Sequence, residues 1–121
     1  MSSLETREEE NVLVVKFTKA KILDEPTIEQ IGKELNEAIG KAPEAKIVLN
    51  FAGVSFMSSA MIGKLVSFNN KCKTSDVKLK LCSISDNVME VFKITRLNKV
   101  FDIQKTEEKA IASFEKKGWF G

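Results

Sequence analysis

Two adjacent serines, Ser58 and Ser59, carry the most definite chemistry in this chain. They stand where an apolar run, Lys46-Ile-Val-Leu-Asn50, gives way to residues of helical periodicity. The stretch between reads Phe51-Ala-Gly-Val-Ser-Phe-Met-Ser-Ser-Ala-Met-Ile-Gly63. The first turn of a helix has unpaired backbone N–H groups and a partial positive charge. A serine hydroxyl there can accept one of those N–H groups as a cap. It can also carry a phosphate, whose charge the same helix end stabilises. The residue types leave both uses open. Other chemistry is narrowed by absence, because the sequence has no histidine and no tyrosine. Ser-His-Asp and Cys-His catalysis, histidine metal ligation and phosphohistidine relays are therefore out of reach. A lysine- or carboxylate-based enzyme stays open. Cys72 and Cys82 share no metal or redox spacing and read as reduced, core-facing residues. No metal site and no cofactor is expected.

The elements that must position the serines follow from hydrophobic pattern. With 121 residues, 43% hydrophobic and 30% charged, residues 1–121 read as one globular domain. A net charge of +2 with scattered lysines does not argue for direct nucleic-acid binding. No apolar run is long enough to cross a bilayer, and the acidic start lacks the apolar segment of a signal peptide. A cytoplasmic protein without membrane insertion is expected.

Leu4 to Arg7 and Asn11 to Phe17 read as strands around a polar Glu9-Glu10-Asn11 turn, with the Glu8-Glu9-Glu10 run in solvent. Ile22-Leu23 is a short extended piece before Asp24-Glu25-Pro26, a helix-start signature. Ile28, Ile31, Leu35, Ala38 and Ile39 then recur at helical spacing. Ala45 to Phe51 predicts a central strand. A helix from Ser58 or Ser59 to about Lys73 buries Met61, Leu65, Phe68 and Cys72. Val77 to Cys82 alternates as a strand. Ser85-Asp86-Asn87 caps a short helix through Val88, Val91, Phe92 and Thr95. Val100 to Ile103 is a last strand, and Thr106 opens a helix that buries Ala110, Ile111 and Phe114 before Gly118. The order β-β-α-β-α-β-α-β-α, with an extra short strand before the first helix, predicts an α/β fold. Its mixed sheet has four to five strands and about four helices.

With these segments in place, the chain resembles the STAS domain family, shared by bacterial anti-sigma factor antagonists and the cytoplasmic tails of sulfate transporters. The resemblance runs from about Leu4 to Phe114. Ala20-Lys-Ile-Leu-Asp24 is similar to the Gly-x-Leu-Asp segment before the family's first helix. Lys46 to Gly63 resembles its strand, turn and Asp-Ser-Ser/Thr-Gly box, and Lys78 to Cys82 its next strand. Val88 to Ile103 resembles its helix, Thr-Gly-Leu-x-x-x-Phe hinge and last strand. Three positions depart: Met57 replaces the box Asp, Ala60 its Gly, and Arg96 the hinge Gly.

The resemblance implies a non-enzymatic, regulatory anti-sigma factor antagonist. It would bind an anti-sigma factor or serine kinase and release a sigma factor. Its phosphate acceptor would be Ser58, with Ser59 the second choice. The implied contact surface is the loop Val54 to Ser59 and the following helix start, namely Asp24, Val54, Ser55, Met57, Ser58, Ser59 and Met61. Met57, lying before the helix, is expected to offer an exposed apolar contact. The periodicity sets Met61 in the core first, and Asp24 serves the first helix before any partner. Trp119 and Phe120 read as docked on the domain, or else as a self-association patch, and a weak homodimer is allowed. The alternative within the fold is a STAS scaffold or transport-associated subunit working without phosphorylation. Outside it stand a small α/β enzyme and a response-regulator receiver. A receiver needs an acid where Asn50 ends the central strand.

Overall fold

The structure is a computed structural model that describes residues 3–116, with side chains described through residue 114. Gly118, Trp119 and Phe120 lie outside the described residues. The elements are β1 (Leu4–Glu9), β2 (Val12–Phe17), β3 (Lys21–Ile22), α1 (Glu25–Lys41), β4 (Lys46–Asn50), β5 (Phe56–Met57), α2 (Ser59–Thr74), β6 (Lys78–Cys82), α3 (Asp86–Ile94), β7 (Asp102–Gln104) and α4 (Glu107–Lys116). Glu10 and Asn11, both at positive φ, make the tight turn between β1 and β2.

The main sheet runs β1-β2-β4-β6-β7. Only β1 pairs antiparallel; the other pairs are parallel. Each successive crossover, through α1, α2 and α3, moves the chain the same way across the sheet. Crossovers of one hand that keep moving in one direction put their helices on one face. That face buries Leu13 and Val15 of β2, Ile47 and Leu49 of β4 and Leu81 of β6. Against them lie Ile31 and Leu35 of α1, Met61 and Leu65 of α2, and Phe92 of α3. The alternate residues, Val12, Val14, Val48 and Cys82, face the other way onto Ala110, Ile111 and Phe114 of α4. The expected mixed α/β sheet and four helices are present. Two details differ. The last strand begins at Asp102, because Leu97–Lys99 form a 3-10 turn after α3. Phe56–Met57 also form a strand, pairing parallel with β3 in a separate two-stranded sheet.

Candidate functional site

The strand-to-helix junction is built from a turn, a short strand and a cap. After β4, Phe51 N–H donates to the Cys82 carbonyl at 3.0 Å, carrying the chain past the sheet. Val54 N–H returns to the Phe51 carbonyl at 3.0 Å, closing a four-residue turn. Its third residue, Gly53, has φ +88°, the angle that favours glycine in a type II turn. Ser55 N–H and Ser58 N–H donate to the Ala20 and Ile22 carbonyls at 2.7 and 3.0 Å. These bonds lock β5 to β3 and so fix the entry of α2. Ser58 is extended (φ −77°, ψ 164°), and its Oγ accepts Met61 N–H at 3.3 Å. Ser58 is thus the N-cap, half-buried, while Ser59 and Ala60 are exposed in the first turn. That turn holds no acidic residue. Glu25 lies in the first turn of α1, Asp86 in that of α3, and Glu107 and Glu108 in that of α4.

The residues anticipated from sequence divide here. Ser55, Ser58, Ser59 and the exposed Asp24 remain at the surface around the junction. Val54, Met57 and Met61 do not: they are 1%, 7% and 0% exposed and belong to the main core. The expected exposed contact from Met57 is therefore corrected. Adjacent residues of a strand point to opposite faces, and pairing of Met57 with buried Ile22 turns Met57 inward. The same geometry turns Phe56 outward, 49% exposed, with the Lys21 ammonium 5.9 Å from its ring centre. Leu23, 55% exposed, follows β3. Phe56 falls within the expected contact loop Val54 to Ser59, but hydrophobic pattern singles out neither Phe56 nor Leu23 as exposed, because only the pairing of β5 with β3 decides which of Phe56 and Met57 faces inward.

Asp24 caps α1, accepting from Thr27 N–H at 3.1 Å and Thr27 Oγ1 at 2.8 Å. The Thr27 hydroxyl and then its N–H hold the carboxyl below its usual pKa. Asn50 is occupied structurally: its Oδ1 accepts Ala52 N–H at 2.8 Å and its Nδ2 donates to Glu107 Oε1 at 2.7 Å. Glu107 is in turn paired with Arg7, which lowers its pKa. Cys72 and Cys82 are free and buried, and burial pushes the Cys72 thiol up to about 11. Among the described residues no three His, Cys, Asp or Glu side chains gather as a metal site. None of the described helices is long and apolar enough to cross a membrane.

A five-stranded mixed sheet with three crossover helices on one face and α4 on the other, a separate two-stranded β3-β5 sheet and a serine-capped junction after the central strand define a distinct class of small α/β domain. The family model of the STAS domain matches residues 3–110, and the chain belongs to that family. Solved structures agree in fold. An anti-sigma-factor antagonist (STAS) domain protein from Planctomyces limnophilus superposes with a TM-score of 0.80 at 24% identity, covering 93% of this chain and 98% of its own. A putative anti-sigma factor antagonist from Thermotoga maritima gives 0.79 at 19% identity, covering 93% and 95%. The Bacillus cell fate determinant SpoIIAA, solved in its phosphorylated form, gives 0.67 at 21% identity, covering 92% and 98%.

Proposed function

We propose that this chain is a non-enzymatic anti-sigma factor antagonist of the cytoplasm. It binds an anti-sigma factor or switch kinase at the junction and thereby releases a sigma factor. Ser58 is the regulatory phosphate acceptor. The contact surface is Ser55, Phe56, Ser58 and Ser59, with Leu23 and Asp24 beside them. Family membership and neighbours described as anti-sigma factor antagonists support the class. The observation that carries the site is Ser58 itself: a partly exposed hydroxyl capping a helix whose first turn has no acid, next to an exposed phenylalanine.

The physics defines how the switch works. A phosphate brings roughly −1.5 to −2 charges at pH 7. At the α2 N-terminus that charge meets unpaired N–H groups and a favourable dipole, so the fold survives modification. A partner seated over the same hydroxyl would have to bury the charge unpaired, which costs affinity.

The test is incubation with ATP and a cognate anti-sigma kinase, followed by mapping of the phosphate. The label is expected on Ser58 and absent from Ser58→Ala. The phosphorylated chain should bind the partner at least about tenfold more weakly at an unchanged melting temperature, and Ser58→Glu should bind similarly weakly while losing only the stability of the cap, about 1 kcal/mol. Equal affinity would defeat the switch. A second reading, a phosphorylation-independent STAS scaffold, is favoured by one feature: Met57 stands where the family has Asp, and it is buried. Stable binding without phosphate transfer would select it, and turnover of a small substrate would sink both.

A further inference from the structure

The main sheet ends in β1 on one side and β7 on the other, and among the described residues no strand pairs with the outer side of either. An end strand keeps a row of backbone N–H and C=O groups that another strand can take up. What lies beside the two ends differs. The cavity next to β1 is about 110 Å³, and five of the six β1 residues are polar and exposed. The cavity next to β7 is about 530 Å³. It runs between α3, which lends Asp86, Met89 and Lys93, and the end strand, which lends Ile103 with Lys105 after it.

Two features make this second place a groove for an extended segment. First, its floor is apolar. Ile84, Met89 and Ile103 line it, each partly buried against the main core. Ile103 pairs with Leu81, a member of that core, so it stands on the face of the sheet that carries α3. Asp86, Met89 and Lys93 recur at helical spacing, which sets them along one stripe of α3. The groove therefore has a free sheet edge on one side and a helix on the other. Methionine in such a floor adapts to varied side chains. Second, the surroundings are cationic. The stretch from Lys93 to Lys105 carries Lys93, Arg96, Lys99 and Lys105, all exposed, against one carboxylate, Asp102. Asp102 already accepts Lys80 Nζ at 2.7 Å, and none of the four cations has an ion-pair partner among the described residues. Asp86 is the one carboxylate lining the groove, and it lies in the first turn of α3, where the helix end favours it.

We infer that the β7 edge and this groove bind a short acidic segment of a partner protein, added to the five-stranded sheet as a sixth strand. The segment's backbone would pair with β7. Alternate side chains would stand on the α3 face, an apolar one over Met89 and Ile103 and acidic ones near Lys93 and Lys105. A second copy of the chain is the poorer occupant, because the exposed residues of its β1 edge are Glu5-Thr6-Arg7-Glu8-Glu9, which offer the apolar floor nothing. The site lies two strands from β4, roughly 10 Å across the sheet at ~4.8 Å per strand, and does not draw on the reading of Ser58.

The test is an NMR titration of the whole chain with the peptide acetyl-Thr-Glu-Thr-Val-Thr-Glu-Thr-amide, read at the backbone amides of Ile103 and Gln104. Saturable shifts are expected, with a dissociation constant below about 1 mM. Two control peptides should bind at least about fivefold more weakly: one with lysine for both glutamates, and one N-methylated at every internal residue, which has no N–H to give to a ladder. Lys93→Glu and Lys105→Glu, both exposed substitutions, should each weaken the acidic peptide by about fivefold or more. The absence of a saturable shift, equal binding of either control peptide, or indifference to both lysine substitutions would overturn the assignment. So would concentration-dependent shifts of the same amides without peptide, which would give the edge to a second copy.

Discussion

Helices α2 and α3 begin alike. Ser58 Oγ accepts Met61 N–H at 3.3 Å, and Ser85 Oγ accepts Val88 N–H at 3.4 Å. Both serines are half-buried and themselves extended, and both come after a strand of the main sheet. The two junctions differ in what surrounds the cap. Asp86 follows Ser85 and balances the helix charge, whereas Ser59 and Ala60 follow Ser58 and leave it unbalanced. Ser58 is reached through β5, which turns Phe56 into solvent, while the residues before Ser85 present no large exposed apolar side chain. Cap geometry alone therefore identifies no site. An unmet positive helix end beside an exposed aromatic ring distinguishes the first junction from the second.

The largest expected effect asks whether the two helices are equally anchored. Met61 and Phe92 are each fully buried, Phe92 between the rings of Phe51 and Phe101 at 6.4 and 5.6 Å. Met61→Ala should cost about 2–5 kcal/mol and Phe92→Ala about 3–5 kcal/mol in urea unfolding. A loss below about 1 kcal/mol for Met61→Ala would mean that α2 starts loosely, and would return Met61 to the surface role its position in the motif suggests.

Next come the caps themselves. Ser58→Ala and Ser85→Ala should each cost about 1 kcal/mol, because the bond lost is the same. Ser58→Asp and Ser85→Asp should then separate. Aspartate at 58 keeps a good cap and gains about 0.3–1 kcal/mol from the uncompensated helix end. At 85 the helix end is already met by Asp86, which leaves less to gain. Equal stabilities for the two aspartate variants, compared by thermal melting at low salt, would erase the electrostatic distinction between the junctions.

The sequence disclosed these junctions unevenly. Asp24, Ser58, Ser85 and Thr106 were readable as caps because the cap signal is local, a polar side chain just before an apolar period. All four accept the N–H three residues on. The sheet was readable because its central strands run apolar on both faces. What pattern could not show was the direction of single side chains. Phe56 and Met57 are both apolar, and only pairing of β5 with β3, a contact thirty-five residues apart in sequence, decides which is inside.

The helix ends extend the comparison at smaller scale. Asp76 after α2 and Arg96 after α3 both take left-handed backbone, with φ 58° and 63°. Each N–H closes onto the helix, Asp76 to the Lys73 carbonyl at 3.3 Å and Arg96 to that of Lys93 at 3.1 Å. Aspartate tolerates this conformation better than arginine does. Arg96→Gly should therefore stabilise by about 0.5–1 kcal/mol, and Asp76→Gly by less. A destabilised Arg96→Gly would mean that the arginine side chain contributes more than its backbone costs.

The smallest effect sets a titrating cap against one that does not titrate. Asp24 caps α1 as a carboxylate held below its usual pKa by Thr27, whereas Ser58 caps α2 with a neutral hydroxyl. A depressed folded-state pKa means that the unfolded chain takes up the proton first as acid is added. The stability from Asp24 is thus complete above its ordinary value, about 3.9, and is lost as pH falls through the lower folded value. Asparagine is an equally good cap without the charge. Wild type should therefore lose stability relative to Asp24→Asn as pH drops below about 3.9, while the difference between wild type and Ser58→Asn stays level. Glu107 and the other carboxylates titrate in every one of these proteins, so they cancel in each difference. A level Asp24→Asn difference would mean that Thr27 does not favour the ionised cap, and a sloping one for Ser58→Asn would mean that an acid beyond its first turn acts on the α2 start.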